Sequence, residues 1–95
     1  MMTESWKVYM ILCSDNSLYT GITTDIERRF LQHAGGRGAK YFRGRRPLQV
    51  VYLENGHSRS SATQREGRIK AMSRADKALL VLENPDISAG PHEQA

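Results

Sequence analysis

The stretch that decides the fold is Trp6-Lys7-Val8-Tyr9-Met10-Ile11-Leu12-Cys13-Ser14-Asp15-Asn16-Ser17-Leu18-Tyr19-Thr20-Gly21. Trp6 to Leu12 is rich in strand formers and nearly continuous in apolar character, which predicts a central strand. Ser14 to Ser17 is turn chemistry, because Asp and Asn side chains bond nearby backbone and tolerate left-handed conformations. Leu18 to Gly21 then returns as a second strand, so the stretch predicts a short hairpin. Its two tyrosines, Tyr9 and Tyr19, fall on adjacent strands.

Working outward, Thr24-Asp25-Ile26-Glu27 fits a capping box that starts a helix at Asp25 and carries it to about Ala34. Ile26, Phe30 and Ala34 recur every four residues and are expected to face the core. Arg29 and His33 share the adjoining stripe. Gly35-Gly36-Arg37-Gly38 ends that helix and opens a flexible basic loop through Pro47, where glycines permit close approach by a phosphate backbone. Leu48 to Glu54 predicts a third strand closed by Asn55-Gly56. Ser58 or Ser61 caps a second helix to about Met72, with Ala62, Ile69 and Met72 inward and Glu66 on the same side. A carboxylate there is costly unless paired or metal-bound. Ser73 caps a last helix, Arg74 to about Leu82, with Ala75, Leu79 and Leu82 inward. Residues 83–95, with two prolines and little apolar content, are expected to be a disordered tail. The expectation is one domain over residues 1–82.

The chain has 95 residues and one cysteine, Cys13, so no intrachain disulfide can form and a cysteine-built zinc site is excluded. Cys13 is expected to be a small apolar residue ending a strand. No apolar run approaches the length of a membrane span, and the first residues lack the pattern of a signal peptide. A cytoplasmic, nucleoid-associated protein without a membrane partner is the expectation. The formal net charge of +4 understates an asymmetry: Arg28 to Lys77 holds 13 basic and 3 acidic residues. Seven basic residues and no acidic one lie between Arg28 and Arg46. A basic body of this kind favours a polyanion, and nucleic acid is the expected partner. Arg28, Arg37, Lys40, Arg43, Arg45 and Arg46 are its candidate contacts, together with Gly21 and Tyr41.

The order Lys7-Val8-Tyr9, then Tyr19-Thr20-Gly21, then Arg29, His33 and the later Glu66 resembles the GIY-YIG nuclease family. Leu18 to Arg29 and Gly38-Ala39-Lys40 look like its small stand-alone, YhbQ-like members. The resemblance covers roughly Trp6 to Leu82. It implies an α/β (α+β) fold, a three-stranded antiparallel sheet flanked by helices, and a metal-dependent endonuclease that hydrolyses DNA, with damaged or branched structures in repair as its candidate substrates. It further implies that Tyr9 or Tyr19 takes the proton from water, with Tyr9 preferred, and that Arg29 binds the non-bridging phosphate oxygens. His33 then donates to the phosphate or relays a proton, and Glu66 is the sole protein ligand of one Mg²⁺ or Mn²⁺ that binds with substrate. A hard ion that keeps several waters suits one carboxylate.

Three departures from the family pattern stand out. Lys7-Val8 replaces Gly-Ile, Thr20 replaces an aliphatic, and Ile22 stands where the repair members carry lysine. They leave a second reading open: a catalytically weak nucleic-acid-binding module of the same fold, with Tyr41 and Phe42 stacking on unpaired bases. RNA remains an alternative to DNA, a targeting protein is a further expected partner, and a monomer or weak dimer is expected.

Overall fold

A computed structural model describes residues 5–36 and 40–83. Its elements are strand β1 (Trp6–Cys13), strand β2 (Leu18–Thr23), helix α1 (Ile26–Ala34), a 3₁₀ turn (Lys40–Arg43), strand β3 (Pro47–His57), helix α2 (Arg59–Lys70) and helix α3 (Arg74–Leu82). The sheet is fully antiparallel in the order β2-β1-β3. This is the expected three-stranded architecture, with the first strand at its centre. The basic residue Arg37 and the Gly38-Ala39 pair lie outside the described residues, as does the tail beyond Glu83.

Because successive side chains of a strand point to opposite faces, β1 feeds two cores at once. Val8 and Met10 are buried on the face covered by α2 and α3, with Val51, Tyr52, Ala62 and Ile69. Tyr9, Ile11 and Cys13 are buried on the other face with Phe42, flanked by Tyr19, Ile26 and Phe30. Cys13 is thus a packed strand-end residue, and burial pushes its thiol pKa up. The turn between β1 and β2 follows its sequence closely. Asn16 adopts a positive φ of 68°, and Asp15 accepts from the Ser17 amide at 3.1 Å.

β3 runs longer than expected. Asn55-Gly56 does not end it, because the pairing with β1 steps by one residue at three places: between Trp6 and Val8, Met10 and Ile11, and Leu12 and Cys13. Three extra residues on one side account for a strand of 11 residues against one of 8. Gly56, at φ 81°, serves the first of these bulges. The second brings Val51 and Tyr52, neighbours in sequence, into one core cluster. β3 is tied to α2 by Glu54, which accepts from the Tyr52 hydroxyl, from Arg65 Nε at 2.8 Å and from His57 Nε2 at 2.8 Å. Burial works against the carboxylate, but these three donors outweigh it and hold its pKa down.

The helix caps correct one expectation and bear out two. Asp25, not Thr24, is the N-cap of α1, its carboxylate accepting from the Arg28 amide at 3.1 Å. Thr23 Oγ1 meanwhile accepts from the Asp25 amide, so no capping box from Thr24 to Glu27 forms. Ser58 caps α2 with a reciprocal bond to Ser61, and Ser73 caps α3. α2 ends at Lys70, short of Met72. The inward faces of α1 and α3 are also corrected. Ala34 is exposed, and His33 is the buried residue of α1. On α3, Leu80 and Val81 pack on the core, while Ala75, Leu79 and Leu82 are exposed.

Candidate active site

Tyr9 of β1 and Gly21 of β2 are directly opposed, and Ile11 opposes Tyr19. Both tyrosines therefore project from the same face of the sheet, the one covered by α1 and the 3₁₀ turn. A side chain at residue 21 would collide with the first of them. A Cβ built on Gly21 lies 2.5 Å from Tyr9 Oη, 2.7 Å from Tyr9 Cζ and 3.1 Å from Tyr19 Cε2. Glycine at this position is what lets the Tyr9 phenol lie across the neighbouring strand.

α1 closes this face with His33, which is only 1% exposed, and its Nε2 stands 2.9 Å from Tyr9 Oη. Burial depresses the imidazole pKa to about 4, with the nearby Arg29 charge adding to it, so the ring is neutral. Its Nδ1 is buried and has no partner among the described residues. An orphaned donor is costlier than an unused lone pair, so the ring proton is assigned to Nε2, donating to the Tyr9 oxygen. The Arg29 guanidinium also acts on this phenol and favours the phenolate. Burial, with the neighbouring Tyr19 adding to it, outweighs that effect and raises the Tyr9 pKa to about 12.

Arg29 is steadied on its own helix by Gln32, whose Oε1 accepts from Nη1 at 2.8 Å. The Gln32 contribution was missed in the sequence; the i, i+3 spacing on a helix was the signal available. Glu66 of α2 comes to the same place from the far side of the sheet edge. Its side chain is 21% exposed, and its charge raises the pKa of both Tyr9 and Tyr19. Tyr19 is itself raised, first by burial, against the lowering charges of Lys70 and Arg29. Tyr9, Tyr19, Arg29, His33 and Glu66, drawn from four elements, are therefore brought into one electrostatic neighbourhood. His33 is turned to Tyr9 rather than to solvent, so it is placed to hold the Tyr9 oxygen and not to donate directly to a phosphate.

The part of the basic segment among the described residues, 40–46, is built onto the sheet rather than being a free loop. Phe42 is 5% exposed and stacks 4.3 Å from His33 and 4.9 Å from Tyr19, centroid to centroid. It supports the site from below and offers no face to a base, which corrects the stacking expectation for this residue. Arg45 lies 3.9 Å over the Tyr41 ring, pairs with Asp15 at 2.6 Å and donates to the Tyr41 carbonyl. The Asp15 carboxyl is lowered to about 2 by its bonds from Ser17 and Arg45. Arg46 and Ser14 exchange two bonds at 2.9 Å, which locks this segment onto the β1–β2 turn. Arg28, Lys40, Arg43 and Arg46 remain exposed around the site, while Arg45 is a clamp.

Among the described residues no three His, Cys, Asp or Glu converge as a metal cage. Glu66 is nonetheless a suitable single ligand, being a partly accessible carboxylate whose charge acts on both Tyr9 and Tyr19. A small hard cation bound by one carboxylate, waters and substrate oxygens fits that donor set. No helix among the described residues is long and apolar enough to cross a membrane.

Residues 5–78 match the family described as the GIY-YIG catalytic domain. A UPF0213 protein of Haloquadratum walsbyi is 49% identical over 87 residues, which is 92% of this chain and 98% of that protein. A UPF0213 protein of Vibrio cholerae is 51% identical, covering 84% of this chain and 80% of its own length. Among solved structures, the solution NMR structure of a UPF0213 protein from Bacillus halodurans is similar with a TM-score of 0.52 at 44% identity, covering 81% of this chain and 82% of that one. A solution NMR structure of an E. faecalis protein gives a TM-score of 0.55 at 40% identity, covering 81% and 83%.

Proposed function

The chain belongs to the GIY-YIG family, whose catalytic domain is in general a nuclease, and from that premise we propose that it hydrolyses DNA phosphodiester bonds with one divalent ion. The observation that carries this reading is the Tyr9 oxygen. It meets His33 Nε2 at 2.9 Å, feels the Arg29 charge, and lies in the space that the missing side chain of Gly21 leaves open. A phenol so held supports a role as the group that takes the proton of an attacking water.

In this mechanism Arg29 binds the non-bridging oxygens of the scissile phosphate and stabilises the charge that grows on them. Its guanidinium also favours the phenolate of Tyr9. The phosphate oxyanion draws the guanidinium toward it, and Gln32 keeps the fork in line between the two. His33, neutral and donating from Nε2, fixes the Tyr9 oxygen in place. Tyr19, half-buried against the ring of Phe42, orients the water or the phosphate. Glu66 would hold the divalent ion, Mg²⁺ or Mn²⁺, which when bound supplies Lewis-acid stabilisation of the phosphate and leaving oxygen. Exposed Arg28, Lys40, Arg43 and Arg46 contact the backbone on either side, a sequence-independent grip. A targeting partner and a role on damaged or branched DNA belong to the same proposal, as does a cytoplasmic location.

Labelled single-stranded, duplex, nicked and branched DNA, with matched RNA, test it in Mg²⁺, in Mn²⁺ and in chelator. Metal-dependent cleavage of DNA that disappears in Glu66→Ala and in Arg29→Ala is expected. Binding to every substrate with no cutting would assign the fold here to a nucleic-acid-binding module instead.

A further inference from the structure

Glu66 is not a bare carboxylate. Lys70, one turn further along α2, places Nζ 3.1 Å from Glu66 Oε2. The lysine is the more accessible partner, with its side chain 53% exposed against 21% for the glutamate. Among the described residues no other ion pair reaches Glu66. Lys70 also acts on Tyr19, whose phenol its charge lowers. Lys70 thus pairs with the carboxylate and acts on one of the two site tyrosines, although residue 22, next to the motif glycine, is the uncharged Ile22.

A negative Glu66 disfavours both phenolates, and at Tyr19 the Lys70 charge opposes it. A divalent cation does the same with twice the charge, but the two cannot share one oxygen. A +1 and a +2 charge held at one oxygen repel even at the dielectric of water. The glutamate is the more enclosed group and the lysine sits on a flexible four-carbon stem, so the lysine is the one that leaves. We propose that Lys70 is a built-in counter-ion of Glu66 that exchanges with the divalent cation, and that the displaced ammonium serves the nucleic-acid phosphate at the same edge. This inference rests on the reading of Glu66 as metal ligand. It predicts a protein that binds its ion weakly until a polyanion arrives, when the phosphate gives the displaced lysine a new partner.

The test is Mn²⁺ binding to the protein without nucleic acid, followed by the electron paramagnetic resonance signal of the free ion. Four proteins are compared: wild type, Lys70→Met, Glu66→Ala, and Arg68→Met as a variant with the same net charge on the same helix. Lys70→Met is expected to bind Mn²⁺ about fivefold to tenfold more tightly than wild type, from the repulsion and ion pair it removes. Arg68→Met should stay within about twofold, since its charge is exposed and screened. Glu66→Ala should lose the site. A second arm measures DNA affinity in Ca²⁺, where Lys70→Met should bind more weakly than wild type. Unchanged or weaker Mn²⁺ binding in Lys70→Met, or an equal gain in Arg68→Met, would overturn the exchange. Wild-type Mn²⁺ binding in Glu66→Ala would instead remove the metal-ligand reading itself, and the exchange with it.

Discussion

Replacing Gly21 with alanine tests the packing on which the site depends. The new methyl carbon would lie 2.5 Å from Tyr9 Oη and 2.7 Å from Cζ, both far inside contact distance. The phenol cannot simply swing away, because Tyr9 is 1% exposed and its oxygen is bonded to the equally buried His33. Forcing extra volume into a filled core costs about 1–3 kcal/mol. Breaking the Tyr9–His33 bond adds about 1 kcal/mol, because the imidazole has no other partner. Gly21→Ala should therefore lose about 2–4 kcal/mol in urea unfolding. Cleavage should fall by about a hundredfold, the usual effect of shifting a catalytic group by an ångström. Tyr9→Phe in the same background supplies a control: it removes the Oη contact but leaves the ring, so it should recover part of the stability and none of the activity. A Gly21→Ala protein with wild-type stability and wild-type cleavage would refute the reasoning.

Further consequences can be measured separately. With the Tyr9 phenol raised to about 12 and the phenolate as the reactive form, single-turnover cleavage should rise with pH, close to tenfold per unit, from about pH 6 to 8; a flat profile would exclude it as base. The His33 imidazole, lowered to about 4 from 6.5, is neutral when folded and protonates when unfolded, so stability should be complete above pH 6.5 and fall as pH drops toward 4. That loss amounts to up to about 3 kcal/mol, and urea titrations of His33→Phe should show a shallower acid decline. Gly67 sits in mid α2 with open space where a Cβ would be, so Gly67→Ala should raise stability by about 0.5–1 kcal/mol in the same titration.

How much of this was legible depended on whether a local rule had competitors. The hairpin from Trp6 to Gly21 was, because an unbroken apolar strand followed by Asp-Asn turn chemistry has few alternatives. So was α3 from Ser73, whose N-cap hydroxyl accepts from the Asp76 amide at 3.0 Å. The start of α1 was not, because Thr23, Thr24 and Asp25 all offer capping oxygens and only tertiary placement chooses. The inward face of α3 was hidden by the run Leu79-Leu80-Val81-Leu82, which satisfies more than one helical stripe. Asn55-Gly56 looks like a strand end, and the positive φ at Gly56 serves a bulge instead. At the site, the types and order of Tyr9, Tyr19, Arg29, His33 and Glu66 were readable. The depth of His33, the collision that Gly21 avoids and the Lys70 contact to Glu66 all follow from side chains meeting across the sheet, which spacing along a chain does not encode.

The central claim is that the Tyr9 oxygen is the proton acceptor, and single-turnover cleavage by Tyr9→Phe tests it most directly. The change removes one atom, and DNA affinity is measured alongside to show that the site still binds. Cleavage reduced at least a hundredfold with affinity within about twofold is the predicted result, in the range expected for loss of a general base. Cleavage at the wild-type rate by a folded Tyr9→Phe protein would contradict the account.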